Sequence, residues 1–505
     1  MYITFVVQQC ETKRYISFFK KWFGQEVEDD PTVKIESLSN TLKSSKSKLT
    51  TGFRWSKPPP PLQTALNRNA INNNNNNNNS NNENVNFKPT AVYSIGNNNQ
   101  GQLGLSDCKS ETNFTFVETL SNQSVNSLQS SLLHSAILTN DYDMLTWGAN
   151  FHFQIGHKYG SNTSIFPNFI ESCPFSVKNS FPKNSVIDVA IGGWNSFALT
   201  KEPKSGANHI YTWGNNNHGQ MGIGSIYNIQ TPSLIQSLST FNIVQISGGF
   251  FHTHFLTDKG MVLSCGRSTE GQLAVSNSMQ DKLVVIPTRA DLLSDIDVSL
   301  LASGAFHSAA VDKKGDVYQW GVGELKKDLK DDVYYTPFNQ HCMESLAAIA
   351  TEKINKITIP DGGLVIQVAA GDNQTLALTN DHKLYQWSTT DQTPKQIDFP
   401  EFKDHRIIKI ATSTTHSGVI LAPKEKVVTD SNEVGEADTK ANNKLFVWPN
   451  RSFKLDRELS GNLFFTVTQE PKLFTFPTDH QLVDLSLGAH FCIVLAEKLE
   501  LDNKV

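Results

Sequence analysis

Glycine-rich turns are the first feature of this 505-residue chain that could carry chemistry. The stretch Gly96-Asn-Asn-Asn-Gln-Gly101 has the glycine spacing of a phosphate-binding loop, but glutamine follows it where such a loop has lysine. Close copies span 214–222 and 266–274, and glutamine follows in each. A repeated turn without the cation is better explained by glycine's access to positive φ. We therefore predict that these turns shape the backbone and bind no nucleotide.

Histidine and tryptophan also recur along the chain, and could indicate a metal site or an aromatic cage. Residues at equivalent places in separate repeats should be spread around the fold, and Asn195 and Gln374 stand at two of the histidine positions. We predict buried imidazoles bonded to backbone, indoles packed between repeats, and no metal or other cofactor. The residues concerned are His134, His252, His307, His416, Trp147, Trp213, Trp320, Trp387 and Trp448.

The chain has no motif that predicts catalysis. The six cysteines lie far apart without a Cys-x-x-Cys pair, and no order of Ser, His and Asp stands out from the repeats. The net charge is -5, which disfavours a nucleic-acid partner, and no apolar stretch is long enough for an ordinary transmembrane helix. We expect a soluble, non-catalytic, monomeric protein.

From residue 92 the sequence repeats two half-units, each seven times. One is an apolar strand that ends in Trp-Gly or a variant, followed by a polar turn; its last residues are 52 to 67 apart. The other is a strand, a small residue, two variable residues, a polar residue that is often His, and a second strand. This period is typical of propeller blades. The region begins with the first kind of half-unit, at Tyr93, and ends with the second, at Leu482 to Leu495. We predict an all-β, seven-bladed propeller closed by its N- and C-terminal halves.

Trp-Gly followed by Gly-Gln-x-Gly, in alternation with Gly-x-x-His, resembles the repeat of the regulator of chromosome condensation family. The resemblance covers about residues 92–497 and implies a seven-bladed β-propeller. The Gly-Gln-x-Gly turn is lost after Gly321, Trp387 and Trp448, but the strands persist in every repeat. A kelch-type propeller is the alternative that the doublets Gly192-Gly193 and Gly248-Gly249 superficially favour, although kelch repeats lack this turn.

We divide the chain into an N-terminal arm and linker (1–90), the propeller (91–497) and a C-terminal tail (498–505). The arm is predicted to be disordered, since it is basic over residues 1–70 and carries an asparagine run at 72–79. The basic and aromatic residues at its start are typical of a mitochondrial targeting sequence, but acidic residues interrupt them. We therefore expect a cytoplasmic protein, with a mitochondrial location as the alternative.

Recognition should depend on loops that break the repeat, because loops on a rigid scaffold commonly carry binding. The insertions at 157–185 and 322–362 are the chosen candidates for partner contacts, and a third, at 423–443, has the composition of a solvated loop. Within the first two the candidate partner-binding residues are Phe166, Phe169, Phe175, Lys326, Lys327, Asp331 and Asp332.

The function we predict is a propeller scaffold for protein-protein interaction. The alternative is guanine nucleotide exchange on a small GTPase, which the family resemblance implies because the founding member is an exchange factor for the GTPase Ran. Such activity leaves no motif to transfer residue by residue. Chromatin binding is a third possibility, and the negative charge of residues 71–505 weighs against it.

Overall fold

The computed structural model describes residues 89–156, 170–177, 181–182, 185–202, 204–276, 283–321, 354–424, 443–450, 472–474, 476–477 and 479–499. Contacts group Phe87–Val505 into one compact unit. Within it, 28 described strands form seven antiparallel four-stranded sheets, which are the blades of a propeller. The all-β, seven-bladed prediction is thus confirmed, whereas the predicted disorder of the arm concerns residues outside the described ones.

The blade that closes the ring combines both ends of the propeller. It contains β1 (Thr90–Gly96), β2 (Glu111–Phe116), β27 (His480–Leu487) and β28 (Phe491–Lys498), in the order β2-β1-β28-β27. Strand β1 pairs with β28 along its whole length, from Thr90 opposite Glu497 to Gly96 opposite Phe491. The orphan half-units at the two ends of the repeat region therefore complete one sheet, as predicted.

The other six blades each use four consecutive strands. Blade 1 comprises β3 (Val125–Ser130), β4 (His134–Thr139), β5 (Met144–Ala149) and β6 (Ile170–Ser176). Blade 2 comprises β7 (Val186–Ile191), β8 (Asn195–Lys201), β9 (Asn208–Gly214) and β10 (Ile229–Leu234). Blade 3 comprises β11 (Ile243–Gly248), β12 (His252–Thr257), β13 (Val262–Gly266) and β14 (Val284–Arg289).

The second half of the ring has shorter outer strands. Blade 4 comprises β15 (Val298–Ser303), β16 (His307–Asp312), β17 (Val317–Gly321) and β18 (Asn355–Ile357). Blade 5 comprises β19 (Val365–Ala370), β20 (Gln374–Thr379), β21 (Leu384–Ser388) and β22 (Lys395–Ile397). Blade 6 comprises β23 (His405–Thr412), β24 (His416–Pro423), β25 (Lys444–Pro449) and β26 (Lys472–Phe474). Blade 7 is the closing blade.

The first strand of each blade lies at the centre of the ring, since these seven strands contact one another in sequence from β3 round to β27. Short 3-10 turns precede five of them, at Glu118–Leu120, Gln236–Leu238, Asp291–Leu293, Pro360–Gly362 and Pro400–Phe402. In the first three turns a leucine is buried under the sheet. Apolar clusters fill the spaces between neighbouring blades, so each junction is a small core of its own.

Antiparallel order places the loops on two faces of the ring. Loops that join first to second and third to fourth strands lie on one face, which we call the loop face; all other connections lie on the opposite face. The Gly-x-x-His segments and the Gly-Gln-x-Gly turns all belong to the loop face.

Candidate functional site

The repeated motifs meet where one blade contacts the next. At the junction of blades 1 and 2, the carbonyl oxygen of Gln154 accepts the indole N–H of Trp213 (2.9 Å) and the hydroxyl of Ser196 (2.7 Å). The imidazole Nε2 of His134 lies 3.1 Å from the Ser196 oxygen and donates to it, because the hydroxyl proton is already used. Four motif residues thus form one buried hydrogen-bonded group, which we call the junction node.

Nodes of the same kind recur at other junctions. The carbonyl of Gln102 accepts from Trp147 and Ser135, that of Gln220 accepts from Thr253 and Cys265, and that of Gln272 accepts from Trp320 and Ser308. The tryptophans and histidines are therefore structural, as predicted. The Nε2 atoms of His134, His252 and His307 also contact side-chain hydroxyls of the next blade, which was not predicted. The predicted bonding to backbone is found as well, since His134 has a backbone hydrogen bond with Asn195 and His307 has one with Asp372.

Space for the imidazole explains the glycine of Gly-x-x-His. A Cβ on Gly249 would overlap the ring of His252, and one on Gly304 would overlap the ring of His307. Burial lowers the pKa of His134 to about 3 and that of His307 to about 4, so both are neutral and act as hydrogen-bond donors. The described residues contain no cluster of three metal-ligating side chains.

Some junctions depart from the pattern, and two of them show how. Blade 4 has lost its Gly-Gln-x-Gly turn, and the side-chain oxygen of Gln319 takes the place of the missing carbonyl, accepting from Trp387 (2.7 Å) and Thr375 (2.8 Å). At the junction of blades 2 and 3, Asn195 stands at the histidine position, and neither polar atom of its buried side chain has a partner. The shorter side chain therefore leaves this node without its fourth member.

One further copy of the turn, at 148–156, was not predicted from the sequence. Phe153 occupies the place of Gly101 and Gly219, with φ 68° against 71° and 74° for the two glycines. Ala149 stands where Asn97 and Asn215 accept a hydrogen bond from the glutamine amide, so the fully buried Nε2 of Gln154 has no partner. The spacing from Trp-Gly to Gln-x-Gly is unchanged and could have revealed this copy.

Most of the predicted partner-binding residues lie outside the described residues. These are Phe166, Phe169, Lys326, Lys327, Asp331 and Asp332. Phe175 lies in β6, where its backbone is opposite Thr146 of β5. The role of these residues in binding stays a prediction.

A different surface on blades 2 and 3 exposes apolar side chains. The side chains of Ile226 and Tyr227, in the turn between β9 and β10, are 44% and 76% exposed. Asn216 holds both ends of this turn: its side-chain amide donates to the carbonyl of Ser225 (2.7 Å), and its backbone N–H donates to the side chain of Asn228 (2.8 Å). The two exposed residues are therefore presented by a rigid turn.

The same turn in the closing blade shows that the fold does not require these residues. There Asn98 donates to the carbonyl of Asp107 (2.9 Å), as Asn216 does to Ser225, and the two residues that follow are Cys108 and Lys109. An apolar pair at this place is thus a property of blade 2, not of the repeat.

Blade 3 extends this apolar surface. The backbone N–H of Gly224 donates to the carbonyl of Val285 in β14 (2.8 Å), which brings the turn against Ile286, itself 50% exposed. We call Ile226, Tyr227 and Ile286 the Tyr227 patch. Near it, burial and the charge of Arg267 lower the pKa of His218 to about 4, and Arg267 pairs with the carboxylate of Glu270. The imidazole is therefore uncharged, and the positive charge of Arg267 is balanced by the carboxylate of Glu270.

Comparisons with known proteins agree with the fold. The RCC1-like domain model matches residues 88–339. The ultraviolet-B receptor UVR8 of Arabidopsis thaliana is 25% identical over 343 residues, which are 65% of this chain and 69% of the receptor. The secretion-regulating guanine nucleotide exchange factor of Mus musculus is 24% identical over 286 residues, 54% of this chain and 56% of that protein.

A solved structure agrees as well. Yeast RCC1 (Prp20), in its complex with Kap60, has a TM-score of 0.59 at 20% identity, covering 82% of this chain and 90% of that one. The match to the family model ends at residue 339, between β17 and β18. The last described node in which a glutamine backbone carbonyl accepts from a tryptophan, formed by Gln272 and Trp320, comes shortly before that point. On the motifs, the nodes and these similarities, the chain belongs to the RCC1-like family of seven-bladed β-propellers.

Proposed function

We propose that this protein is a non-catalytic scaffold that binds a protein partner through the Tyr227 patch on its loop face. The observation that carries the proposal is the 76% exposure of Tyr227 on a turn that Asn216 holds at both ends. A preorganised turn loses little conformational entropy on binding, and tyrosine is among the residues that contribute most to interfaces. Among the described residues near the patch, Arg267 is paired with Glu270 and His218 is uncharged, so the contact should depend weakly on salt.

A second candidate function is guanine nucleotide exchange on a small GTPase. The similarity to the mouse secretion-regulating exchange factor favours it. An exchange factor binds the nucleotide-free GTPase more tightly than the loaded one, because the two ligands weaken each other reciprocally. This property separates the two candidates without knowledge of the partner.

The experiment is affinity capture from cell extract with the full chain and two variants as bait. The first variant, Tyr227→Ser with Ile226→Ser, removes the apolar surface of the turn. The matched control, Val244→Ser with Leu473→Ser, removes two aliphatic side chains of similar exposure, 47% and 43%, in β11 and β26, away from this turn. Each bait is used with nucleotide removed by chelator and with excess GTP.

The scaffold proposal predicts proteins that the wild-type and control baits capture in both conditions and the Tyr227 variant does not. Equal capture by all three baits contradicts the role of the patch. Capture of a small GTPase only without nucleotide makes exchange the function instead. A cytoplasmic location, with mitochondria as the alternative, and a monomeric state belong to the same proposal, and the captured proteins test the location.

A further inference from the structure

A second exposed apolar surface lies on the opposite face, on blade 5. Leu364, the residue before β19, and Ile366, the second residue of β19, are 51% and 43% exposed. Ile366 lies where the register with β20 shifts, between Val365 and Gln367. We call this pair the Leu364 patch. It is separated from the Tyr227 patch by the thickness of the ring, because one lies on each face.

The repeat itself does not explain Leu364. In each blade a buried apolar residue lies at the start of the central strand. The residue before it is Leu364 in blade 5 and a polar residue in the other six blades: Ser124, Ser185, Asn242, Asp297, Arg406 and Gln481. The preceding connection also differs. The 3-10 turns before blades 1, 3 and 4 bury Leu120, Leu238 and Leu293, whereas Pro360–Gly362 buries no residue, as is also the case for Pro400–Phe402 before blade 6. Blade 5 thus presents a leucine to solvent where the fold uses polar residues.

Backbone contacts hold Leu364 in place between two loops. Its carbonyl accepts the N–H of Asn380 (2.8 Å), and Val365 donates to the carbonyl of Gly315 (3.3 Å). Gly315 is in van der Waals contact range of the leucine side chain, so a residue with a Cβ there would press against it. The exposed leucine is therefore preorganised for binding.

The rim of this patch consists of charges that are mostly paired. Lys383 contacts the carboxylates of Asp361 and Asp381, both at 3.1 Å, and Lys313 contacts Asp297 at 2.8 Å. Among the described residues, the ammonium group of Lys314 has no carboxylate within ion-pair distance, and Lys314 is adjacent to Gly315, which packs on the leucine. An exposed apolar pair beside the ammonium group of Lys314 is complementary to a ligand in which an apolar side chain lies close to a carboxylate.

We propose that the Leu364 patch is a second docking site, which takes a segment of another protein that carries an aliphatic or aromatic side chain close to an acidic residue. The two patches would then allow the propeller to bind two proteins at once, one on each face. This proposal is independent of the function proposed for the Tyr227 patch.

The test uses phage-displayed random 12-residue peptides, selected on the full-length protein after depletion on the Leu364→Ser/Ile366→Ser variant. We expect peptides that share an acidic residue within three positions of an apolar one. Fluorescence polarisation with a synthetic copy of a selected peptide should show binding weakened about tenfold or more by Leu364→Ser and about threefold by Lys314→Ala. Tyr227→Ser, on the other face, should leave this binding unchanged.

Several results would overturn the proposal. These are failure to recover any peptide that distinguishes the two baits, peptides without acidic residues, or equal binding to wild type and Lys314→Glu. Self-association in sedimentation velocity that Leu364→Ser abolishes would identify a second copy of the chain as the occupant instead. Because the Lys314 side chain is exposed in a loop, its variants keep the test valid even if Leu364→Ser impairs folding.

Discussion

Mild acid should destabilise this propeller through its buried histidines. The pKa values of His134 and His254 are lowered by burial to about 3, and those of His307 and His490 to about 4, against an ordinary value of 6.5. At pH values between about 4 and 6.5, the histidines of the unfolded chain bind more protons than those of the folded chain. Stability is therefore present in full above pH 6.5 and falls as the pH falls toward 4.

The size of the effect follows from the shifts. Moving from pH 7 to pH 5 costs about 1.9 kcal/mol for each such histidine, and so about 7.5 kcal/mol for these four. Carboxylates scarcely titrate in this interval. With an unfolding entropy of roughly 0.85 kcal/mol/K for a propeller of this size, these four alone should lower the melting temperature by about 9 °C. The pKa values of His152, His218, His252 and His416 are lowered by burial too, so about 9 °C is the minimum expected fall.

Differential scanning calorimetry at pH 7, 6 and 5 measures this directly. His307→Gln, which copies the residue at the same place in blade 5, should reduce the loss by about 2 kcal/mol, or roughly 2 °C. His405→Gln, at a half-exposed site, is the matched control and should leave the loss unchanged. An unchanged melting temperature at pH 5, or the same acid loss in wild type and His307→Gln, would refute the reasoning.

Three further predictions concern the nodes and the closure of the ring. Ala149→Asn gives the buried amide of Gln154 an acceptor and should raise the free energy of unfolding by about 1 kcal/mol in urea denaturation; a decrease would show that the turn has no room for it. Asn195→His supplies the missing imidazole of its node and should stabilise by about 1 kcal/mol in the same assay, unless Gly192 leaves too little space, in which case the sign reverses. Deletion of residues 480–505 removes two strands of the closing blade and should abolish the cooperative calorimetric transition, so a truncated protein with the wild-type melting temperature contradicts closure.

Much of the fold could be predicted because the residues that join the blades are the repeated ones. Hydrogen bonds link Trp213 and Ser196 to Gln154, and His134 to Ser196, so the motif marks the contact between blades and its recurrence counts the blades. The same logic explains the turn that was missed. Phe153 hides the glycine pattern, while the glutamine carbonyl that makes the contact is retained.

The candidate surfaces could not be predicted in the same way. Ile226 and Leu364 resemble any aliphatic residue beside a strand, and only the neighbouring turns decide whether such a side chain is covered. The predicted contact residues were chosen because they interrupt the repeat. That criterion detects insertions, but it overlooks a repeat of normal length whose exposed residues have changed from polar to apolar.

The closing blade has a consequence for synthesis of the chain. Strand β1 ends at residue 96, and its central-side neighbour β28 begins at residue 491. At roughly 5–20 residues per second, a ribosome needs about 20 to 80 s to make the intervening stretch. During that time β1 and β2 have emerged, but the strand that covers the inner edge of β1 does not yet exist. The unpaired edge is open to other nascent chains for longer than most domains need to fold, which makes this hairpin the segment that a chaperone would have most reason to cover.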